Sequence, residues 1–451
     1  MGTLKFGTDG VRGCFNKTLT IQDVMSLGVA HGHLLCRNYS GEGRPKVVIG
    51  RDSRVSGDAL MGAYGAGVMS AGADLVDIGV IPTPAVAFAV RDLKAQGAAM
   101  LSASHNPVPD NGIKLFGSTG KKLSDKEARQ LEELAGRWQE LPLAEGVDVG
   151  RLGHNESVSE NYRRFLLDNM EGRLDGLKIV LDCAHGAAAP HAEELFKAAG
   201  AEVVMLSDIP DGERINVKCG STDLTPLCEA VVEHGAHMGF AFDGDADRCL
   251  AVSEKGIPVS GDHLMVVMAS ELKTKGRLAQ NRIVLTVMSN LGAEIALREA
   301  GIEVARTPVG DRYVWEEMDR SGAILGGEQS GHILLLDRHW SGDGMLAGLV
   351  FAGIAAQKGV PVSTLVAHIK EMPQKLINVS GVDKSRLDSD DAVLQAIKTA
   401  ESRLGAEGRL LVRPSGTEPL VRLMAEGPDG ALLDSVLSDL KSVVEQRLSV
   451  N

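Results

Sequence analysis

The sequence is poor in aromatic residues and cysteines, and each shortage excludes a class of protein. Aromatic side chains make up only 4% of the 451 residues, whereas glycine is abundant at 53. This balance favours a loop-rich α/β protein over an all-β one. The six cysteines are irregularly spaced and form no CxxC pair, which is typical of reduced thiols in a cytosolic protein rather than a disulfide framework.

Long hydrophobic runs are also missing. The longest, MLAGLVFAGIAA at 345–356, is too short to span a bilayer and predicts a buried helix instead. The N-terminal stretch MGTLKFGTDG contains no apolar segment of signal-peptide length. We therefore expect a cytoplasmic protein without a membrane partner.

Positive charge is in short supply. The formal net charge is −13 and the isoelectric point is about 5.5. This balance argues against a broad nucleic-acid-binding surface. A small anionic ligand is not excluded, because such a ligand needs only local positive charge.

Three segments of the chain begin alike. KVVIGRDS from Lys46, KIVLDCAHG from Lys178 and RIVLTVMSN from Arg282 each combine a basic residue, a β-branched apolar run and a polar loop. Each then shows a helical stretch ending in glycine, a second apolar run, another helix and a third apolar strand, which predicts parallel strands with right-handed crossovers. Chance similarity among glycine-rich turns is the alternative, but the shared order favours a true triplication.

The third strand of each copy leads into an unusual loop. These loops are SASHNP (102–107), DGDADR (243–248) and GEQSGH (327–332). Ligands of open α/β sheets bind beyond the carboxyl ends of the strands. If the three domains face one cleft, the three loops meet there.

The C-terminal part of the chain has a different pattern. It predicts a strand, a helix, two strands joined by RPSGTEP (413–419), and a final helix. We therefore predict three similar mixed α/β domains with β-α-β units, followed by a smaller α+β domain. The predicted domains are 1–155, 156–258, 259–370 and 371–451.

The loop in AFDGDADRCL (241–250) carries carboxylates at alternate positions, Asp243, Asp245 and Asp247. Like charges this close repel each other, and one or more would take a proton unless a cation lay between them. Hard divalent cations prefer oxygen ligands. The loop therefore predicts a catalytic divalent ion, Mg²⁺ before others, with positions left for phosphate oxygens. A solvated acidic turn without metal is the alternative.

A Ca²⁺-binding EF-hand fits the same loop less well. The aspartates occupy positions 1, 3 and 5 of that pattern and Glu254 occupies position 12, but Arg248 stands where the sharp turn needs glycine. The flanking residues alternate like strands, whereas an EF-hand needs helices.

The segment LSASHNPVPDNGIKLF (101–116) presents Ser102, Ser104, His105 and Lys114. Its Asn-Pro and Asn-Gly pairs are ordinary turn signals, so a plain loop is the simplest interpretation. A Ser-His hydrolase is a poor fit, because His105 adjoins Ser104 and the chain has no GxSxG motif. A serine that carries a phosphoryl group would give the acidic loop a group with which to share its metal.

Two further loops offer groups that suit a phosphorylated sugar. GEQSGH places a carboxylate, a hydroxyl and an imidazole on a glycine-flanked turn, where they can bind vicinal sugar hydroxyls; a capped turn is the alternative. RPSGTEP combines backbone N–H groups, hydroxyls and a guanidinium, which together make a phosphate nest. A plain hairpin turn is the alternative interpretation. Arg422 is close enough in sequence to join that nest across the hairpin.

Together with FGTDGVRG (6–13), these loops resemble the α-D-phosphohexomutase superfamily over essentially the whole chain. Each motif alone is short, but the five in this order are specific. The resemblance implies an isomerase that moves a phosphoryl group within a hexose phosphate, using Mg²⁺ and a phosphoserine. It also implies that the four domains surround a central cleft.

The resemblance further implies a role for each loop residue. Ser104 would be the phosphoserine, and it would hold the metal together with Asp243, Asp245 and Asp247. The reaction site would be lined by Arg12, His105, Lys114 and Arg248. The sugar would be held by Glu328 and Ser330. The phosphate that does not react would be bound by Arg413, Ser415, Gly416, Thr417 and Arg422.

One loop departs from the hexose-specific members of the superfamily. Their sugar-selecting loop typically carries a histidine, whereas this chain reads TPVGDRYV at 307–314. The difference indicates the glucosamine branch, in which glucosamine 6-phosphate and glucosamine 1-phosphate interconvert for the synthesis of amino-sugar nucleotide precursors of the cell wall. Asp311 and Arg312 keep no assigned role. We expect Glu328 to recognise the amine, because Asp311 adjoins Arg312 and would be neutralised by it.

The predicted partners follow from the same resemblance. A small hexosamine phosphate is the expected ligand, nucleic acid and membrane are not expected, and a homodimer is left open. A metal-dependent phosphatase and a catalytically silent sugar-phosphate sensor are the rival functions.

Overall fold

The computed structural model describes residues 4–7, 9–415 and 420–450. The chain divides into two compact units, one formed by residues up to 286 with 305–366 and the other by 287–304 with the residues from 367 onward. Within the described ranges, every helix is either too short or too polar to traverse a lipid bilayer.

The first sheet grows around the apolar run KVVIGR. Val47, Val48 and Ile49 are fully buried, as expected of a strand with helices on both faces. The strands are β1 Val11–Cys14, β2 Lys46–Arg51, β3 Asp74–Val80, β4 Gly97–Leu101, β5 Asp110–Gly117 and β6 Leu152–His154, and the helices are α1 Ile21–Asn38, α2 Gly57–Ser70, α3 Thr83–Asp92 and α4 Asp125–Gly136. The order across the sheet is β1-β5-β4-β2-β3-β6.

Helices α1 and α4 begin where their sequences predict. Thr20 and Ser124 each accept a hydrogen bond from the third helical residue, whose carboxylate bonds back to the cap. Such capping boxes satisfy N–H groups that the first turn of a helix leaves open. Short 3-10 helices follow at Trp138–Glu140 and Gly146–Asp148.

The second sheet repeats this pattern with the order β11-β10-β9-β7-β8. Its strands are β7 Lys178–Asp182, β8 Glu202–Leu206, β9 Met238–Phe242, β10 Cys249–Ser253 and β11 Pro258–Val259, and its helices are α5 Ser157–Asp168, α6 Ala192–Ala198 and α7 Thr225–Glu233. A 3-10 helix spans Gly220–Thr222.

The third sheet has the order β13-β12-β14-β15. Its strands are β12 Arg282–Thr286, β13 Glu303–Thr307, β14 Leu325–Gly327 and β15 Ile333–Leu335, and the helices of this segment are α8 Gly261–Thr274, α9 Leu291–Glu299, α10 Asp311–Ser321, α11 Gly344–Lys358 and α12 Val362–Leu365. The apolar run at 345–356 lies in α11 and is almost entirely buried, so the predicted buried helix is confirmed.

The three sheets share one topology. In each, the first strand of the repeat lies between the second and third strands, as β2 lies between β3 and β4. In each, the third strand is then followed by an antiparallel partner: β4 by β5, β9 by β10, and β14 by β15. The loops SASHNP, DGDADR and GEQSGH are these three strand-to-strand connections, which confirms the triplication.

The C-terminal residues form a smaller sheet with the order β16-β18-β17. Its elements are β16 Gln374–Ser380, α13 Asp391–Leu404, β17 Arg409–Pro414, β18 Leu420–Glu426 and α14 Gly430–Leu448, with 3-10 helices at Lys384–Arg386 and Gly405–Glu407. Apolar residues of α13, α14 and the sheet, such as Val393, Leu437 and Leu423, form one core. The predicted fold class, three α/β repeats and a smaller α+β part, is confirmed. The boundaries after residues 155, 258 and 370 stay predictions.

Candidate active site

Ser104 lies on the loop between β4 and β5 in a left-handed backbone conformation, with φ of 54°. Its hydroxyl donates to Oδ2 of Asp243 at 2.6 Å and lies 3.2 Å from Nδ1 of His105. Its backbone N–H donates to Oγ of Ser102 at 2.8 Å. The structure therefore brings the predicted phosphoserine into direct contact with the predicted metal loop.

The three aspartates of the loop between β9 and β10 lie close enough to hold one cation. One ligand oxygen from each of Asp243, Asp245 and Asp247 lies within 4.8 Å of the others, and all three side chains are buried. Among the described residues, Oδ1 of Asp245 is buried and accepts no hydrogen bond. A buried carboxylate oxygen without a partner is costly, and a cation would supply the missing contact. The donors are all oxygen, so the residues fit a hard divalent ion.

Glu254, the twelfth residue of the rejected EF-hand pattern, lies outside this site. Its carboxylate accepts hydrogen bonds from the backbone N–H of Ser363 at 3.0 Å and from the Ser363 hydroxyl. The flanks of the acidic loop are strands β9 and β10, as the sequence predicted.

The charges of the triad are unequal in the absence of a cation. Burial, and then the neighbouring Asp247 and Asp245, raise the pKa of Asp243 to about 8. Burial also favours the neutral form of Asp247, but Lys114, His332 and Arg248 outweigh it and hold the pKa of Asp247 well below its usual range. At neutral pH, Asp243 therefore carries a proton while Asp247 is ionised.

Lys114, on β5, lies at the centre of the charged groups. Its ammonium is 2.8 Å from Oδ2 of Asp245, 2.8 Å from Oδ2 of Asp247 and 3.0 Å from Oδ2 of Asp9. Burial alone would lower the pKa of Lys114, but these carboxylates hold it well above its usual range. The lysine is thus a fixed positive charge beside the metal loop.

The remaining predicted reaction-site residues line a cleft of about 440 Å³. Arg12, His105 and Arg248 contribute to its walls, together with Glu328. Burial, and then the guanidinium groups of Arg248 and Arg12, lower the pKa of His105 to about 4. The imidazole is therefore neutral at pH 7, and the positive charge of the cleft comes from other lining residues, which include Arg12, Arg248 and Lys5. The volume is within the range of small-molecule sites.

The turn between β14 and β15 brings Glu328 to this cleft. Its Oε1 accepts a hydrogen bond from the backbone N–H of Gly310 at 3.0 Å, which ties the turn to the TPVGDRYV loop. Ser330 is on the same turn and half-buried, but it is not part of the cleft wall among the described residues. The structure thus places one of the two predicted sugar ligands in the cleft.

The expected pairing of Asp311 with Arg312 is wrong. The carboxylate of Asp311 forms an ion pair with Lys122, whereas the guanidinium of Arg312 bonds to Asp125 and, at 2.9 Å, to Glu316. Both residues begin helix α10, where successive side chains point in different directions. Asp311 is neutralised, but by a lysine that is distant in sequence.

The predicted phosphate nest lies in the second unit, and only some of its residues are among those that the structure describes. Arg413 on β17 and Arg422 on β18 are directly opposite each other across the hairpin. Ser415 is buried, and its backbone N–H donates to the carbonyl of Leu420 at 2.9 Å. The predicted ligands Gly416 and Thr417 lie outside the described residues.

Several site residues were missed in the sequence. Asp9 forms ion pairs with Arg12, Lys114 and Lys122, and its presence within FGTDGVRG was the available signal. The imidazole of GEQSGH, His332, was expected only to face sugar hydroxyls, but its Nδ1 lies 3.5 Å from Oδ1 of Asp247. Thr83 donates its hydroxyl to the carboxylate of Asp245 and its N–H to the backbone carbonyl of the same residue at 2.9 Å; its sequence carries no signal for this contact.

Comparison with known families covers nearly the whole chain. Models of phosphoglucomutase/phosphomannomutase match in order: alpha/beta/alpha domain I at residues 3–141, domain II at 158–256, domain III at 260–372 and the C-terminal domain at 376–442. The class is therefore that of the phosphohexomutases, which are isomerases that use a divalent metal ion. The predicted resemblance to the superfamily is confirmed.

Curated relatives show to which family within this class the chain belongs. A phosphoglucosamine mutase of Carboxydothermus hydrogenoformans is 46% identical over 447 residues, covering 99% of this chain and 100% of the relative. Another, of Paenarthrobacter aurescens, is 49% identical over 444 residues, covering 98% of this chain and 97% of the relative. The chain belongs to the phosphoglucosamine mutase family.

Solved structures share the fold. A phosphoglucomutase/phosphomannomutase family protein of Burkholderia thailandensis superposes with a TM-score of 0.82 at 26% identity, covering 97% of each chain. The N-acetylphosphoglucosamine mutase of Aspergillus fumigatus, in complex with GlcNAc-6P and magnesium, has a TM-score of 0.67 at 17% identity and covers 98% of this chain and 95% of its own. At that identity the likeness concerns the fold alone.

Proposed function

We propose that the protein interconverts glucosamine 6-phosphate and glucosamine 1-phosphate through a phosphoserine at Ser104 and a sugar bisphosphate. The observation that carries this proposal is the hydrogen bond of 2.6 Å from the Ser104 hydroxyl to Asp243. It supports the proposal because the hydroxyl that would carry the phosphoryl group lies against the carboxylates that would hold the metal ion. The curated phosphoglucosamine mutases at 46% and 49% identity support the choice of substrate.

In the proposed reaction, a free hydroxyl of the sugar phosphate attacks the phosphorus of phosphoserine 104. A bond forms from the sugar oxygen to phosphorus, the bond from phosphorus to Oγ breaks, and the proton of the sugar hydroxyl is carried to Oγ, which becomes a serine hydroxyl again. The resulting bisphosphate turns end for end and returns its other phosphoryl group to Oγ. Arg12, Arg248 and Lys114 stabilise the charge of the transferring group, because their positive charges lie in or beside the cleft.

We further propose Mg²⁺ as the metal ion, held by Asp243, Asp245, Asp247 and the phosphoserine. An all-oxygen donor set suits Mg²⁺ better than the softer transition metals. When bound, the ion neutralises charge on the phosphoryl oxygens. Thr83 and Lys114 keep the carboxylate of Asp245 in place.

The proposed setting of the reaction is the cytoplasm, where the product would supply amino-sugar nucleotide precursors for the cell wall. A homodimer stays a prediction, which the molar mass from light scattering will test.

The proposal is tested by incubating the protein with glucosamine 6-phosphate, Mg²⁺ and a trace of hexose 1,6-bisphosphate, and following phosphorus by NMR. We expect glucosamine 1-phosphate to form until the two isomers reach equilibrium. Release of inorganic phosphate would show a phosphatase, and an unchanged ligand would show a sensor. Either result would refute the proposed function.

Mg²⁺ should stabilise the protein more strongly at about pH 8.5 than at about pH 6.5. The pKa of Asp243, about 8 in the folded protein without metal, lies above its unfolded value. The stability that this group contributes is therefore present at low pH and is lost as the pH rises toward 8. Below pH 8 the cation must displace a proton, whereas above it the carboxylate is already ionised. The measurement is the gain in Tm on adding Mg²⁺ at constant ionic strength.

The control for this pH dependence is Asp243→Asn, which cannot ionise. In that variant the gain in Tm should be small and nearly independent of pH. Equal gains for the wild type at both pH values would contradict the assignment of the proton to Asp243.

Arg422→Ala should raise KM for glucosamine 6-phosphate by about ten- to a hundredfold, as expected for a lost charge-assisted hydrogen bond. Arg413 and Arg422 are direct cross-strand partners, so a phosphate bound at this end of the hairpin would contact two positive charges. If the phosphate is held equally in the ground and transition states, kcat changes little. If the contact drives a closure of the site, kcat falls as well. Steady-state kinetics separates the two parameters.

The matched control is Arg403→Ala, since Arg403 lies on α13 of the same unit and pairs with Asp439 at 2.6 Å. It should leave both parameters unchanged. Wild-type KM and kcat in Arg422→Ala would exclude that residue from the phosphate site.

Glu328→Gln should reduce the preference for glucosamine phosphate over glucose phosphate. A C2 ammonium attracts a carboxylate, whereas a C2 hydroxyl does not, and the carboxylate of Asp311 is already paired with Lys122. Glu328 accepts one backbone N–H through Oε1, and a carboxylate has capacity for more donors. The measurement is kcat/KM for both substrates in the wild type, Glu328→Gln and Asp311→Asn. If Asp311→Asn erases the preference and Glu328→Gln lowers both substrates equally, the TPVGDRYV loop recognises the amine.

A further inference from the structure

Arg54 is a fully buried cation directly behind the serine loop. It follows β2 in the segment GRDSR (50–54), and its side chain is 0% exposed. It lines no part of the cleft that contains Arg12 and Arg248. A buried charge is expensive unless it is completely paired, so the position of Arg54 requires an explanation.

Every N–H of the Arg54 guanidinium has an acceptor. Nε donates to Oδ2 of Asp52 at 3.0 Å. The four remaining N–H groups donate to backbone carbonyls of the loop that carries Ser104. These carbonyls belong to Ser104 at 3.0 Å, Asn106 at 2.7 Å, Pro107 at 2.7 Å and Asp110 at 2.8 Å.

Asp52 connects the same cation to the other side of the loop. Its Oδ2 accepts a hydrogen bond from the Ser102 hydroxyl at 2.6 Å. The Ser102 oxygen in turn accepts the backbone N–H of Ser104 at 2.8 Å. The N–H and the carbonyl of Ser104 are thus both held by one buried pair, Asp52 and Arg54.

We infer that Arg54, together with Asp52, is the positioning residue for Ser104, fixing the left-handed backbone that presents the hydroxyl to the metal loop. A non-glycine residue at φ of 54° is strained and persists only where its surroundings impose it. The four carbonyl contacts of Arg54 hold it here, together with a hydrogen bond of 2.9 Å that Nδ2 of Asn216 donates to the Ser104 carbonyl. This inference rests on the proposed phosphoryl-carrying role of Ser104, and it assigns Arg54 no contact with substrate.

Geometry makes arginine necessary at this position. A lysine has the same charge but three donors at a single point, so it cannot satisfy four separate carbonyls and Asp52. The loop of Arg54→Lys would lose contacts on one side, and Ser104 would shift. Misplacement of a reacting group by about 1 Å costs about a hundredfold in rate.

The test compares Arg54→Lys with the wild type at a temperature where circular dichroism shows both fully folded. We expect kcat for glucosamine 6-phosphate to fall about a hundredfold, while KM changes less than about threefold, because the binding residues are untouched. Hydrogen exchange of the peptide covering 101–112 should become at least about tenfold faster.

Arg338→Lys is the matched control. Arg338 is also buried, at 5% side-chain exposure, and pairs with Glu171, but it has no contact with the serine loop among the described residues. This variant should lower Tm without changing kcat or the exchange of 101–112.

If Arg54→Lys does not fold, Ser102→Ala takes its place. It removes the acceptor of the Ser104 N–H and the hydroxyl that donates to Asp52, but it keeps Arg54, and it should lower kcat about tenfold. A kcat within about threefold of the wild type in the folded variant, with unchanged exchange of 101–112, would overturn the inference. Should the wild type form no isomer, the proposed function fails, and hydrogen exchange alone decides the positioning role of Arg54.

Discussion

Ser104→Ala is expected to lower kcat by on the order of 10⁴-fold or more while leaving the fold intact, as for other enzymes that lose their nucleophile. The methyl group can carry no phosphoryl group, and no other hydroxyl is known to reach Asp243 in the described structure. Within the described residues, the hydroxyl of Ser104 contacts Asp243 and His105, and its loss removes little packing. The measurement is isomer formation at saturating substrate, with Tm as the check on folding.

The control is Ser118→Ala, which removes an exposed hydroxyl on the turn after β5, outside the cleft. It should behave as the wild type. Turnover by Ser104→Ala at the wild-type rate would end the phosphoserine mechanism, whatever the substrate is.

Asp245→Asn should weaken the binding of Mg²⁺ and lower kcat by about 10² to 10³-fold, the range found when a preorganised electrostatic contact is removed. The buried Oδ1 of Asp245 accepts no hydrogen bond among the described residues. Its Oδ2 pairs with the ammonium of Lys114 and accepts a hydrogen bond from the Thr83 hydroxyl. An amide would turn a donor or a neutral oxygen toward the cation, and the phosphoryl group would then face the remaining carboxylates with less screening. Mg²⁺ titrations followed by calorimetry and by activity measure both effects.

Glu254→Gln is the matched control, because Glu254 belongs to the same stretch of sequence but contacts Ser363 instead of the triad. It should leave the affinity for Mg²⁺ and kcat unchanged. If Asp245→Asn binds Mg²⁺ as tightly as the wild type, the triad is not the metal site.

Local pattern was sufficient to predict the repeats and the loops. The strands β2, β7 and β12 lie where three apolar runs predict them, and the special loops follow the third strand of each copy. Ser104 and Asp243 follow strands of two different sheets, so their contact could be anticipated only on the expectation that the repeats face one cleft, since each loop lies at the carboxyl end of its own sheet. The chemistry of each loop was readable because its residue types are unusual in turns.

Contacts between side chains that are distant in sequence could not be predicted in the same way. Lys122 and Asp311 are 189 residues apart, so adjacency suggested Arg312 as the partner instead. Arg54 bonds to carbonyl groups, which every residue possesses, so the sequence carries no sign of its partners. The cross-strand pairing of Arg413 with Arg422 could be predicted from the sequence, because the length of the loop determines the register of a hairpin.

In the proposed mechanism, Ser104 carries the phosphoryl group that the substrate receives. The most direct measurement starts from enzyme labelled with radioactive phosphate on Ser104, mixed with unlabelled glucosamine 6-phosphate and quenched within one turnover. If Ser104 carries this group, label leaves the peptide containing Ser104 and appears in the bisphosphate and the hexosamine monophosphates. Isomer formation with the label still on Ser104, or label released as inorganic phosphate, would contradict it.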